Sequence, residues 1–224
     1  MNIVYLIGML LAIFFVLFGI MVDFKAPTPV DVGQLGLFFD PASMLIVVGG
    51  TLAVVIACYP KQVTSILKHF SIMLKAKAFN PEKYIDELVE LAQIARKNGL
   101  LALEEKASTQ TDPFFKQAIM LIVDATDPDR VKSILMNDIE QTSARHQDVI
   151  AMYERGSGAA PAFGMIGTLV GLVKMLYSLD GADMSGLGPN MGVALITTFY
   201  GSFMAHVIFN PIATNLSARD EEEI

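Results

Sequence analysis

The hydroxyl side chains of two apolar segments are the residues best suited to ion chemistry in this sequence. Thr168 lies in the glycine-rich segment Gly164–Gly171, and the adjacent Thr197 and Thr198 lie in a second apolar segment. Hydroxyl oxygens can ligate sodium or hold water molecules that pass a proton along. Threonines in membrane helices also bond back to the carbonyl of the preceding turn, which is a purely structural role. Both interpretations of the three threonines stay open from sequence.

The apolar segments of the chain lack the acidic group that an ion relay needs. No Asp or Glu occurs in residues 1–22, 41–60, 156–179 or 189–213. Relays for protons or sodium within membranes normally depend on a carboxylate. We therefore expect a partner protein to supply the acid if ions pass.

Four other residues in these segments have a possible function. Pro161 and Pro211 each remove a backbone hydrogen bond and permit a kink, although either could simply mark a helix end. Lys174 lies near one end of its segment, where its stem can carry the ammonium group to the interface. A hydrogen-bonded or interfacial position is expected for His206 rather than a proton relay.

Other chemistry is missing from the sequence. It has no phosphate-binding glycine loop and no nucleophile elbow, and its three histidines are far apart in sequence. The single cysteine, Cys58, suggests neither a disulfide nor a zinc site. A net charge of −7 gives no basic field to attract nucleic acid. We therefore expect no enzymatic activity, no metal site and no bound cofactor.

Composition indicates the elements that must position these residues. Of 224 residues, 53% are hydrophobic and only 17% are charged, below the quarter typical of soluble domains. The four uncharged or nearly uncharged segments are each long enough to cross a hydrocarbon core of about 30 Å as a helix. A signal peptide is the competing interpretation of residues 1–22, but no basic region or cleavage site accompanies it. The sequence predicts an all-α membrane protein with four transmembrane helices.

A polar block at residues 61–155 separates the second and third apolar segments and holds 13 of the 16 basic residues. Helix starts are predicted at Asn80-Pro81, Asp112-Pro113 and Asp127-Pro128, where a capping residue precedes proline. Between the first start and the stop at Asn98-Gly99, apolar residues recur at helical spacing; they are Ile85, Leu88, Ala92 and Ala95. We predict that the block is helical and continues into long helices beyond the membrane.

The distribution of Lys and Arg predicts the orientation, because basic residues favour the cytoplasmic side. Six flank the ends of the polar block, and they are Lys61, Lys68, Lys75, Lys77, Arg145 and Arg155. Only Lys25 lies on the opposite side. Both termini and the polar block are therefore expected in the cytoplasm. The predicted regions are helix 1–22, outer loop 23–40, helix 41–60, cytoplasmic domain 61–155, helix 156–179, outer loop 180–188, helix 189–213 and cytoplasmic tail 214–224.

Four segments in this order are similar to the A subunit of the bacterial flagellar motor stator, the MotA/PomA family. They are Ala95–Glu105, Pro161–Gly171, Ala194–Gly201 and Phe209–Ala213. The layout of two spans, a large polar block and two further spans also resembles this family over nearly the whole chain. The resemblance implies a torque-generating unit of the bacterial cytoplasmic membrane that is driven by protons or sodium.

The resemblance also implies the partners. Five copies would surround two copies of a single-span B subunit (MotB/PomB), whose membrane aspartate is the ion-binding acid. The rotor protein FliG would be the second protein partner, and membrane lipid surrounds the assembly. Which ion drives the unit stays open, because threonine at position 168 is compatible with both protons and sodium.

Individual residues match family positions. Pro161 and Pro211 match two prolines tied to conformational coupling, while Thr168 and Thr198 match hydroxyls beside the ion path. Arg96 and Glu104 match the charged pair that engages FliG.

Lys97 and Glu105 are weaker neighbours of that charged pair. Gly99 places Arg96 and Glu104 in different segments, so they can face a partner's charges rather than each other. An ordinary solvated face is the alternative, above all for Lys97 and Glu105. Family members continue past the fourth span into a longer cytoplasmic tail, and any function of that tail stays open here.

Three alternatives remain. Relatives of the TolQ/ExbB group place one span before the large loop, whereas this sequence places two. A self-sufficient ion channel or transporter would conduct without a partner. A passive membrane scaffold would tolerate alanine at Pro161 or Arg96.

Overall fold

The described part of the chain is helical. The computed structural model describes residues 3–22, 30–66, 69, 81–180 and 186–224. Within those residues the strand-like pairing is a single bridge between Val22 and Val30. The prediction of an all-α chain is confirmed.

Nine helical elements carry labels below. In chain order they are α1 (Ile3–Met21), α2 (Gln34–Leu37), α3 (Pro41–Cys58), α4 (Pro60–Val63), α5 (Pro81–Asn98), α6 (Leu103–Thr109), α7 (Pro113–Val123), α8 (Pro128–Asp180) and α9 (Leu187–Glu223). Four of them, α1, α3, α8 and α9, are long and apolar enough to cross a membrane. This assignment rests on helix length and composition alone, because a helix must be long and apolar to span the hydrocarbon core.

Aspartate followed by proline begins helices as predicted. The Asp112 carboxylate accepts hydrogen bonds from the backbone N–H groups of Phe114 and Phe115, at 3.0 and 3.4 Å, at the start of α7. Asp127 accepts in the same way at the start of α8. These caps satisfy amides that have no partner within the helix. The predicted cap Asn80 lies outside the described residues, as do Lys25, Lys68, Lys75 and Lys77, which carried part of the orientation argument.

Two of the described helices contain a π-helical turn. Leu45–Gly49 forms one inside α3, and Met204–Phe209 forms the other inside α9, directly before Asn210-Pro211. In the second, the Asn210 N–H bonds to the carbonyl of Ala205, five residues back. Such turns are rare and often lie at functional sites. Pro211 therefore lies within a continuous helix whose register changes just before it.

The chain divides into two compact units. The apolar unit comprises Met1–Ala76 and His146–Arg219, and the polar unit comprises Lys77–Arg145 and Asp220–Ile224. Each unit has its own buried cluster, so each is described separately.

The core of the apolar unit brings α3, α8 and α9 together. Val47, Met152, Ala205 and Ile212 are buried there. His69 is also buried in this unit, and its Nδ1 lies 3.4 Å from the Tyr153 hydroxyl. Burial lowers the pKa of His69, because the low dielectric disfavours its charged form. Among the described residues of this unit, no Asp, Glu, Lys or Arg is buried.

The polar unit is held by a smaller cluster from α5, α6 and α7. Its buried members are Leu91, Leu103, Ala107, Phe115 and Ile119. Fully burying one such leucine, isoleucine or phenylalanine side chain stabilises a fold by about 1.5–3 kcal/mol. The three helices therefore form a compact polar unit despite their charged surfaces.

The buried face of α5 differs from the stripe that the sequence suggested. Ile85 and Leu88 are more than half exposed, and Ala92 is also exposed. Leu91 is buried instead, with Tyr84 and the nearby Ile94 and Ala95 partly covered. The two stripes overlap on a helical wheel, and contact with α6 and α7 decides between them.

Candidate ion site between two helices

Small residues let α8 and α9 approach at backbone distance. A Cβ atom at Gly171 would lie 2.7 Å from the Asn190 carbonyl oxygen and 2.8 Å from the Ala194 amide nitrogen. At Gly201 it would lie 2.6 Å from the carbonyl oxygen of Ala160. Real Cβ atoms do not come this close, so both positions require glycine. This packing of small residues is the usual way for membrane helices to associate closely.

That close approach brings two of the predicted hydroxyls together. The Oγ1 atoms of Thr168 on α8 and Thr198 on α9 lie 2.7 Å apart. Thr168 Oγ1 also lies 3.0 Å from the Gly164 carbonyl oxygen and 3.1 Å from that of Ala194. Thr198 Oγ1 lies 3.2 Å from the same Ala194 oxygen. Four oxygen atoms, two from hydroxyls and two from carbonyls, therefore share one small region.

Proton counting shows what this cluster can do. Each hydroxyl has one hydrogen and two lone pairs, so only one threonine donates to the other while the second donates to a carbonyl. The Thr198 residue is exposed and Thr168 is half-buried, so the hydroxyl pair lies near the surface of this helix pair. Such an exposed set of neutral oxygens can ligate sodium or hold water next to a partner's carboxylate.

Thr197 points in a different direction from its neighbour. It is fully buried, and its hydroxyl bonds within α9 to the carbonyls of Val193 and Ala194, both at 3.0 Å. Its side chain also fills the space beside Gly167, which has no Cβ there. A role in the ion path stays a prediction for Thr197, while its surroundings are those of a packing residue.

Both predicted prolines lie inside helices rather than at their ends. Pro161 lies within the 53-residue helix α8, where a Cβ on Gly201 would come within 3.2 Å of its Cα. One turn earlier, the Ser157 hydroxyl donates to the Ala205 carbonyl of the π-helical turn at 3.3 Å. The turn before Pro161 is thus bonded directly to the turn before Pro211.

The predicted rotor residues lie on either side of one tight turn in the polar unit. Arg96 and Lys97 are exposed in the last turn of α5, and Glu104 and Glu105 are exposed in the first turn of α6. Gly99 joins them with a φ of +84°, a conformation that glycine adopts without strain. Within the described residues, none of these four side chains forms an ion pair. The turn therefore presents two positive and two negative charges to solvent.

Comparison with known proteins identifies the family. A family model described as the MotA/TolQ/ExbB proton channel family matches residues 106–224. Chemotaxis protein PomA of Vibrio alginolyticus is 43% identical over 192 residues, which cover 85% of this chain and 74% of that protein. Motility protein A of Borreliella burgdorferi is 37% identical over 209 residues, covering 92% of this chain and 78% of that protein. The chain belongs to the MotA/TolQ/ExbB proton channel family, in its MotA/PomA branch.

A solved structure agrees with this assignment. The flagellar MotAB stator complex from Bacillus subtilis contains a chain that matches with a TM-score of 0.82 and 27% identity. The match covers 97% of this chain and 82% of that one. The resemblance to MotA/PomA drawn from four short segments is confirmed.

In this MotA/PomA chain the sequence did not indicate every member of the oxygen cluster. The Ala194 carbonyl lies within 3.2 Å of the hydroxyls of Thr168, Thr197 and Thr198. A backbone oxygen has no side-chain signature, so only the placement of the threonines at positions i+3 and i+4 could have suggested it. Gly164, the first glycine of the Gly164–Gly171 segment, likewise contributes only a backbone carbonyl.

An ion pair that lies beside the charged turn was also not predicted from the sequence. Lys106 Nζ on α6 lies 2.6 Å from Glu90 Oε1 on α5. The hydrogen bond to Glu90 and the negative charge of that residue raise the pKa of Lys106. These residues are 16 positions apart, so helical spacing gives no signal for the pair. It links the two helices that present Arg96 and Glu104.

Lys174 and His206, the two basic residues of the apolar segments, are both exposed. Lys174 lies near the C-terminal end of α8, and His206 lies in the π-helical turn of α9. Asp40 precedes α3, and its pKa is lowered by hydrogen bonds from the Ser43 side chain and backbone, with a further contribution from the charge of Lys174. The predicted interfacial roles of Lys174 and His206 stay predictions.

Proposed function

We propose that this chain is the A subunit of an ion-driven flagellar stator unit. Its four long apolar helices would cross the cytoplasmic membrane, with residues 61–155 and both termini in the cytoplasm. A B subunit with a membrane aspartate would be its partner, and the translocated ion would be a proton or sodium. The observation that carries the proposal is the exposed hydroxyl pair of Thr168 and Thr198 in apolar segments that lack any acid.

The mechanism follows from the chemistry of that pair. A charged partner carboxylate that lies against the hydroxyls can accept hydrogen bonds from them when they turn toward it from their partners within the cluster. Once it takes up a proton or sodium, those bonds weaken and its contacts with the ring of A subunits change. A ring of five copies would then turn about two B subunits. The Ser157 bond between the two proline-containing helices supports coupling of this change to movement of α8 and α9.

The test is whether rotation depends on the partner's acid. Cells that lack the gene for this chain are expected to lose flagellar rotation. Rotation should return when the chain is supplied together with its B subunit. A B subunit with asparagine in place of the membrane aspartate should give no rotation, because neither ion can then be bound by charge. Ion flux through liposomes that hold this chain alone would contradict the proposal and favour a self-sufficient channel.

We also propose that the charged turn contacts the rotor protein FliG. Exposed charge pairs contribute only about 0–1 kcal/mol each, which suits contacts that form and break at every step. The turn offers both signs of charge at separate ends, and the nearby ion pair of Glu90 and Lys106 supports its geometry. Arg96 and Glu104 are the principal contacts in this proposal, with Lys97 and Glu105 beside them.

Charge reversal at Arg96 is expected to slow rotation under load. We expect Arg96→Glu to reduce torque by about twofold or more, since a repulsive pair replaces an attractive one. Torque per stator in tethered cells is the measurement, and a charge reversal on the facing rotor residue should restore it. Arg130→Glu is the matched control, because it makes the same charge change at an exposed position outside the turn. Equal losses in the two variants would rule out a specific contact at the turn.

A further inference from the structure

Tyr200 joins two parts of the apolar unit that are about 160 residues apart in sequence. It lies on α9, two residues beyond Thr198. Its hydroxyl donates to the carbonyl oxygen of Phe38 and accepts from the Asp40 backbone N–H, at 3.4 Å for the second bond. One phenol thus satisfies both a carbonyl and an amide at the corner where the chain enters α3.

The surrounding contacts make this corner a defined structure. The Phe199 ring packs edge-on against the Phe38 ring, with centroids 5.3 Å apart. Asp40 caps α3 by accepting from the Ser43 amide at 2.8 Å, and Ser43 itself is fully buried. Phe38 is therefore held by α9, and Asp40 is held by both α9 and the first turn of α3.

The corner lies close to the level of the hydroxyl pair. Tyr200 follows Thr198 by about 3 Å along the helix axis. Residues two positions apart on a helix point about 200° apart, so the phenol leaves α9 at this level on the face opposite Thr198. A backbone group that is shielded from water without a hydrogen-bond partner is costly. The phenol thus satisfies two backbone groups from the turn of α9 that follows Thr198.

We propose that Tyr200 is a positioning residue of the ion site, whose phenol fixes the corner before α3 against the turn that carries Thr198. This inference rests on the proposed function, since it gives Tyr200 a role in the same ion path. Loss of the phenol frees the corner, lets that turn of α9 move relative to α8 and alters the contact between Thr198 and Thr168. Tyr200 touches neither hydroxyl of the pair directly in this arrangement.

Tyr200→Phe tests the inference in the complete complex with its B subunit. We expect the ion concentration for half-maximal rotation speed to rise about two- to tenfold, the range set by one net hydrogen bond. Speed is read from single stators, as a function of sodium at fixed pH or of pH, so the result does not depend on how many complexes assemble. A purely structural role would lower the number of stators and leave half-saturation unchanged. That result would overturn the proposal.

Two matched variants separate the hydroxyl from general effects. Tyr177→Phe removes a phenol from a side chain that is 78% exposed, and we expect wild-type half-saturation. Phe199→Leu removes the ring that packs on Phe38 but keeps the Tyr200 hydroxyl, so its half-saturation should stay within about twofold of the wild type. A shift in either variant as large as that of Tyr200→Phe would contradict a specific role for this phenol.

A second substitution covers the case in which Tyr200→Phe yields no complex. Tyr200→His keeps a polar ring that is too short to bond both backbone groups, and the same rise in half-saturation is expected. Loss of rotation in the wild-type pair, or rotation without the partner's acid, would instead count against the proposed function. Normal half-saturation in the Tyr200 variants alongside an altered value in Thr198→Val would overturn this inference alone.

Discussion

Gly201→Ala is expected to reduce assembly of the stator complex at least fivefold. The added Cβ would lie 2.6 Å from the Ala160 carbonyl oxygen and 3.2 Å from the Cα atoms of Gly164 and Pro161. These are backbone atoms, so no side-chain rotation relieves the contact. Overpacking of this kind costs about 1–3 kcal/mol, which corresponds to a factor of about five to 150. Separation of α8 from α9 would also pull Thr168 away from Thr198.

Gly192→Ala is the matched control for that experiment. Gly192 lies on the same helix, and a Cβ there meets no atom within 4 Å. The measurement is the amount of chain that copurifies with the B subunit from membranes, followed by swimming speed. We expect Gly192→Ala to behave as the wild type. Normal assembly of Gly201→Ala would mean that the two helices do not pack at this distance in the complex.

Thr198→Val is expected to reduce ion-driven rotation by about tenfold at limiting ion concentration. Valine has nearly the shape of threonine but removes the hydroxyl that lies 2.7 Å from Thr168 Oγ1. Loss of a hydrogen bond to a charged group costs about 1.5–3 kcal/mol, and a tenfold change corresponds to about 1.4 kcal/mol. The same substitution at Thr168 should act in the same direction, because the two hydroxyls form one cluster with the Ala194 carbonyl.

Thr197→Val separates an ion-path role from a packing role. The Thr197 hydroxyl bonds only to carbonyls of its own helix, so its loss should leave the ion dependence of rotation unchanged. Thr198→Ser, which retains the hydroxyl, should restore most of the activity that Thr198→Val removes. Rotation speed against ion concentration is the measurement for all four variants. Equal shifts in Thr197→Val and Thr198→Val would instead place all three threonines in the ion path.

Local chemistry explains why much of the fold could be predicted from sequence. Asp112 and Asp127 cap the helices that begin at the next residue, because cap and amide lie within one turn. Gly99 ends α5 for a similarly local reason. The apolar segments predicted the four long helices, because the length of a segment and its lack of charge are properties of the sequence that do not depend on tertiary contacts. These features arise from neighbours in sequence, so a linear pattern contains them.

Sequence by itself determined that this protein has hydroxyls and small residues in apolar segments without any acid, and its motifs placed it in the MotA/PomA family. Only the tertiary structure decided which of the two adjacent threonines, Thr197 or Thr198, places its hydroxyl beside that of Thr168. Adjacent residues on a helix point about 100° apart, so Thr197 and Thr198 cannot both face Thr168. The glycines of α8 and α9 set the contact that directs Thr198 to the pair and buries Thr197. The bond from Tyr200 to Phe38 likewise depends on packing between distant segments, which no local pattern records.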